Sequence, residues 1–158
     1  MPTLALLDGN SIAYRAFYAL PQDLATTSGQ ITNAAYGFTR MLIKLLGDHH
    51  PDAVAVAWDV SRRTFRSTEY PLYKAQREGA PDAFKSQLPL IDEVLDALSM
   101  KQLRFEGYEA DDLIASLSER AIAAGWTVLL VTGDRDAFQL IDPQLQVLYT
   151  RRGITDVV

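Results

Sequence analysis

Leu4-Ala5-Leu6-Leu7-Asp8-Gly9-Asn10-Ser11 is an apolar run that ends on an acid and a glycine, the form of a buried strand breaking into a turn. The same form recurs twice. Ala53 to Trp58 leads into Asp59, and Val128 to Thr132 leads through Gly133 into Asp134. Short apolar runs separated by helical patterns signal βαβ units and a mostly parallel sheet flanked by helices. In such α/β sheets chemistry collects at the carboxyl ends of the strands, so Asp8, Asp59 and Asp134 are expected to face one cleft.

Working outward, Ser11 to Ala19 reads as a short helix capped by Asn10 or Ser11, and Asn33 as the cap of a second helix through Leu46, ended by Gly47 to Pro51. Phe84, Leu88, Ile91, Leu95 and Leu98 keep the spacing of one buried helical face, which gives a helix from about Pro81 to Leu98. A short strand near Lys101 to Phe105 precedes Gly107. A helix from Ala110 to Ala124 stops at Gly125. The last strands are Val128 to Val131 and Gln146 to Tyr149, with a hairpin turn possible at Arg151-Arg152-Gly153.

Composition sets the outer limits. The 158 residues suit one domain, and 48% apolar with 22% charged residues is a globular profile. The chain has no cysteine, which removes disulfides and thiolate metal sites and suits a reducing cytoplasm. No leader pattern or membrane-length apolar run is present, so a cytoplasmic protein is expected. The net charge of −5 argues against a nucleic-acid partner, yet its distribution softens that argument. Between Arg62 and Lys85 six basic residues stand against three acidic ones.

The acids form the stronger pattern. Besides Asp8 and Asp59 there are Glu109-Ala110-Asp111-Asp112 at a helix start and Asp134-Arg135-Asp136 after a strand. Asp59 has a bland reading as an ordinary strand-end acid, and the others as helix caps or dipole partners. That reading covers Asp8 or Asp134 alone more easily than three acids at one helix start or the second acid at Asp136. Carboxylates gathered in one cleft repel unless a cation neutralises them. Oxygen-only ligands select Mg²⁺ or Mn²⁺ over zinc, whereas His49-His50 reads as solvated surface. In the acidic cluster, Glu109 and Asp111 are expected to reach metal, with Asp112 assisting through water or serving the helix dipole. The chemistry implied is phosphoryl transfer to water. Residues 60–80 supply a complement: Arg62, Arg63 and Arg66 around Phe65, then Tyr73-Lys74 and Arg77, fit phosphate contacts and base stacking.

Together these residues resemble the 5′ nuclease family, specifically the N-terminal 5′→3′ exonuclease (flap endonuclease) domain of bacterial DNA polymerase I. The resemblance rests on Leu6-Leu7-Asp8-Gly9-Asn10-Ser11, Tyr14-Arg15-Ala16-Phe17, Asn33-Ala34-Ala35-Tyr36-Gly37, Thr64-Phe65-Arg66, Tyr73-Lys74-Ala75-Gln76-Arg77, Glu109-Ala110-Asp111-Asp112 and Thr132-Gly133-Asp134-Arg135-Asp136. It implies a PIN-like three-layer α/β fold over residues 1–158, with 60–80 as an arch over the active site. It also implies cleavage of 5′ flaps and 5′ ends of branched or RNA-primed DNA in repair and replication, in a chain that can be linked to a polymerase. Asp8, Asp59, Glu109, Asp111, Asp112, Asp134 and Asp136 match the family's metal-site acids. Lys74 and Arg77 match its arch cations at the scissile phosphate, and Arg15, Arg66 and Tyr73 its substrate contacts.

Two features depart from the family pattern. The family's helix-hairpin-helix-like module and its Gly-Asp-x-x-Asp-Asn-type motif are not in this sequence, and Asp156 does not replace the latter. An incomplete second metal position and weak duplex binding are therefore expected. Two rivals remain at this stage: a DNA-binding module without catalysis, and a haloacid-dehalogenase-like phosphatase. The phosphatase is favoured by Thr132-Gly133-Asp134 but opposed by Asn10, where its nucleophile motif needs Asp.

Overall fold

A computed structural model describes residues 2–21, 25–59, 82–105, 108–133 and 139–149. The expected arch, the Arg151-Arg152-Gly153 turn and Asp156 lie outside the described residues. So do Arg66, Tyr73, Lys74, Arg77, Asp134 and Asp136.

Five strands form one sheet: β1 (Thr3–Asp8), β2 (Ala53–Ala57), β3 (Lys101–Leu103), β4 (Thr127–Thr132) and β5 (Leu145–Tyr149). Their spatial order is β3-β2-β1-β4-β5, and every neighbouring pair is parallel, so the mostly parallel sheet expected from sequence is parallel throughout. The helices are α1 (Gly9–Ala19), α2 (Asn33–His49), α3 (Asp82–Lys85), α4 (Leu88–Ala97) and α5 (Ala110–Ala123).

Strand alternation sorts the core into two layers. Ala5, Leu7, Val56, Trp58, Leu129 and Val131 face α1, α2, α3 and α4, against Phe17, Phe38, Leu42, Phe84 and Leu95. Leu6, Ala55, Ala57, Val128 and Leu130 face α5 and its Ala110 and Ile114. The chain crosses from one face to the other between β3 and β4, and therefore β1 and β4 diverge in connection. That is the switch point of a doubly wound sheet, where a crevice opens beyond the strand ends.

Several local expectations are corrected by side chains acting at a distance. Helix α1 starts at Gly9 with Asp8, not Asn10 or Ser11, as its cap; Asp8 Oδ1 accepts from the Ser11 N–H at 3.4 Å. Asn33 does not cap α2. Thr32 holds the cap position without a side-chain bond, and Asn33 Nδ2 instead donates to the Phe17 and Leu20 carbonyls at 2.8 and 3.1 Å. In the first turn of α2, the N–H groups of Ala34 and Ala35 are accepted by Gln87 Oε1 at 2.7 and 3.1 Å. At its far end α2 runs through Gly47, because His50 takes the left-handed terminal conformation at φ 47°.

The single helix expected over 81–98 is two helices broken at Ser86-Gln87. Pro89 cannot donate to the helical ladder and its ring crowds the carbonyl four residues back, which separates α3 from α4. Leu98 falls beyond α4 and is exposed instead of continuing the buried face. Strand β3 stops at Leu103, short of Phe105, which is exposed.

Candidate metal centre

Side-chain alternation aims the acids. In β1, Leu4 and Leu6 pack toward α5, so Asp8 two residues on points to the same side. In β2, Ala55 and Ala57 do likewise, and the parity continues to Asp59. The two strands are in register, with Asp8 opposite Ala57, so Asp59 lies two residues further on and both carboxylates leave on the side of α5.

Asp59 meets that start directly. Its Oδ1 accepts from the Ala110 N–H at 2.7 Å, so an acid from the end of β2 satisfies the first amide of α5 and sits at the positive end of its dipole. Its own backbone N–H donates to Asn10 Oδ1 at 2.8 Å, which ties the exit of β2 to the first turn of α1.

Asp8 is buried and bridges two elements. Beyond its bond from Ser11, Asp8 Oδ2 accepts from Thr132 Oγ1 at 3.1 Å, across the β1/β4 switch point. Desolvation raises its carboxyl to about 7; the negative charge of Asp111 adds to the rise and that of Asp59 contributes further, against the two hydrogen bonds, which lower it. Asp59 and Asp111 thus both lie close enough for Asp8 to feel their charge.

The acidic cluster divides by role. Asp112 Oδ2 accepts from the Glu109 N–H at 3.1 Å in a capping box, which engages it at the helix terminus. Glu109, the cap residue, is buried. Asp111 is the member whose charge reaches Asp8. Among the described residues, no three His, Cys, Asp or Glu side chains are grouped as a metal-ion site. Asp8, Asp59 and Asp112 are instead engaged with backbone N–H groups.

Asn10 and Ser11, which the sequence marks only as candidate helix caps, do the positioning together with Asp8. In Asp8-Gly9-Asn10-Ser11 each polar side chain holds a strand end: Asp8 takes Thr132 and Ser11 Oγ accepts from the Gly133 N–H at 2.7 Å, both at the end of β4, while Asn10 takes Asp59 after β2. Gly9 allows a close approach, but to Trp58: a Cβ there would lie 2.7 Å from the indole. The signal for these roles was small polar residues beside strand ends, which says nothing about which strand each would reach. Arg15, expected to contact substrate, donates from Nη2 to Tyr149 Oη at 3.5 Å. His49 and His50 are exposed, as expected.

Comparison with known proteins agrees with this arrangement. Residues 3–157 match the family described as 5′-3′ exonuclease, N-terminal resolvase-like domain. The chain is 54% identical over 157 residues to DNA polymerase I of Mycobacterium bovis, covering 99% of this chain and 17% of that protein. It is 44% identical over 154 residues to DNA polymerase I of Geobacillus stearothermophilus, covering 98% and 18% respectively. The chain thus spans under a fifth of the length of these polymerases. Among solved structures, T5 5′-exonuclease with bound zinc superposes with a TM-score of 0.70 at 18% identity, over 94% of this chain and 55% of that one. The bacteriophage T5 flap endonuclease in a complex with DNA and metal ions gives a TM-score of 0.67 at 18% identity, over 94% and 55%. These likenesses show the shared α/β fold with its helix-flanked parallel sheet. With the family matched over nearly its whole length, the chain belongs to the 5′-3′ exonuclease N-terminal domain family found in DNA polymerase I.

Proposed function

We propose that this chain is a divalent-metal-dependent, structure-specific 5′ nuclease domain. It hydrolyses phosphodiesters at 5′ flaps and 5′ ends of DNA, and of RNA primers on DNA, during cytoplasmic repair and replication. The observation that carries the reading is Asp8: a buried carboxyl at the switch point, pushed up to about 7 by burial and by Asp111 and Asp59. Such a group is costly to ionise alone and is relieved by a bound cation. In this reading Asp8, Asp59, Glu109, Asp111, Asp134 and Asp136 hold Mg²⁺ or Mn²⁺, with Asp112 shaping the helix end that presents them. The oxygen-only donor set fits those ions.

With both positions filled, two such ions would supply a water activated for attack and charge stabilisation at the leaving oxygen, the second position being the one expected to be incomplete. The protein's own groups orient and neutralise. Lys74 and Arg77 provide cations for charge developing on the scissile phosphate, while Arg15, Arg66 and Tyr73 hold the strand. Asn10, Ser11 and Thr132 keep the strand ends in place, so that Asp8 and Asp59 do not recoil from each other. The T5 enzyme's complex with DNA and metal ions is in keeping with this reading. A covalently linked polymerase is its natural partner, given the proteins the chain matches.

The test is cleavage of a labelled 5′-flap oligonucleotide in Mg²⁺ or Mn²⁺. The chain is expected to cut, and Asp111→Ala and Asp134→Ala to lose that activity. Equal cutting by all three proteins overturns the assignment. Tight flap binding with no metal-dependent cutting replaces it with a DNA-binding module.

A further inference from the structure

Arg15 lies on α1, seven residues past Asp8, and is partly buried. Among the described residues no carboxylate pairs with it. Its guanidinium carbon stands 5.7 Å from the centre of the Tyr149 ring, and its Nη2 donates to the Tyr149 hydroxyl at 3.5 Å. A guanidinium beside an acidic cleft would ordinarily swing onto the nearest carboxylate. Among the described residues an aromatic ring and a neutral oxygen hold it, which steadies its direction.

Tyr149 is itself well placed for this. It closes β5 in register with Thr132, the residue whose hydroxyl bonds to Asp8, and it is buried against the α5 layer. A line of contacts therefore runs Arg15, Tyr149, Thr132, Asp8 along the carboxyl edge of the sheet.

We propose that Tyr149 is a positioning residue that holds Arg15 beside the carboxylate cleft as a fixed contact for a backbone phosphate of the bound strand. This rests on the nuclease reading above. Tyr149 touches no reacting atom; it acts through Arg15. Its ring sets the height of the guanidinium and its hydroxyl sets the rotation.

The experiment measures binding of a 5′-flap oligonucleotide by fluorescence anisotropy across a salt series, with kcat and KM for its cleavage in Mg²⁺. The proteins are wild type, Tyr149→Phe, Tyr149→Leu, Arg15→Gln and the Arg15→Gln/Tyr149→Leu double variant. Tyr149→Leu is expected to raise Kd and KM about fivefold, the scale of one lost cation–π contact. It should also lower the slope of log affinity against log salt by about one, as for one lost phosphate contact. Tyr149→Phe keeps the ring and its packing and should lose about twofold. In the Arg15→Gln background Tyr149→Leu should add almost nothing.

An unchanged Kd and salt slope in Tyr149→Leu overturns the proposal while leaving the nuclease reading intact. So does an equal loss with and without Arg15, since that is a packing effect. If Tyr149→Leu does not fold, Tyr149→Phe decides: no change in KM, or a fall in kcat alone, overturns the role. A wild-type chain that neither binds nor cuts the flap defeats both readings.

Discussion

The carboxylate of Asp59, at the end of β2, receives the first N–H of α5 from Ala110 at 2.7 Å, across 51 residues of sequence. One acid is thus both helix cap and proposed metal ligand, and the two roles separate under substitution. Asp59→Asn keeps an acceptor oxygen, so its urea midpoint should stay close to wild type while metal-dependent cleavage falls at least tenfold. Asp59→Ala loses both, with a stability cost of about 1 kcal/mol, the usual value of a lost cap. Asn retaining full cleavage would remove Asp59 from the metal site.

Stability without metal should depend on pH through Asp8. Its folded-state carboxyl lies at about 7, above the ordinary 3.8. A group raised on folding contributes stability that is fully present below the unfolded value and lost as pH climbs through the folded one. The wild-type fold should therefore lose stability relative to Asp8→Asn between pH 4 and pH 8, by on the order of 4 kcal/mol. Mg²⁺ at pH 8 should restore much of it to wild type and little to Asp8→Asn. Parallel denaturation curves for the two proteins across that range would refute the burial argument.

Gln87 is fully buried and makes four hydrogen bonds: it accepts from Ala34 and Ala35 and donates to Asn33 Oδ1 and the Ala83 carbonyl. It joins the start of α2 to the break between α3 and α4. Gln87→Leu strands two helical N–H groups and the Asn33 carbonyl oxygen in the interior, which should cost about 3 kcal/mol at roughly 1–3 kcal/mol per orphaned group with partial relaxation. Chemical denaturation measures this, and a loss under 1 kcal/mol would mean water replaces the amide.

Ser118 on α5 is buried, and its hydroxyl has no hydrogen-bond partner among the described residues. Ser118→Ala removes that uncompensated group and improves helix propensity, so the variant should be more stable by about 1 kcal/mol. A destabilised variant would reveal a hidden partner, most simply a buried water.

The local readings were good where the cause was local. Periodicity in Leu4 to Leu7, Ala53 to Trp58 and Val128 to Val131 located strands within a residue of their observed ends. Gly125, with φ at 91°, follows the last helix where expected. The failures share a different cause. Asn33 looked like a cap because such residues usually are, but a distant Gln87 took that task and freed Asn33 to bind α1. The break at Pro89 was legible and was overridden by the regular spacing of Phe84, Leu88, Ile91 and Leu95.

By itself the sequence determined a βαβ chain with acids following its strands, because strand burial and turn chemistry are written in consecutive residues. Its motifs also carried the nuclease resemblance that the family match upheld. Tertiary structure alone decided which acids share a space. Strand order and pleat parity turn Asp8 and Asp59 toward the start of α5, and that convergence, summed over three chain segments, no short window contains. It also decided how those acids are restrained: Thr132, Asn10 and Ala110 act where the fold delivers them, through hydrogen bonds that depend on distance in space rather than along the chain.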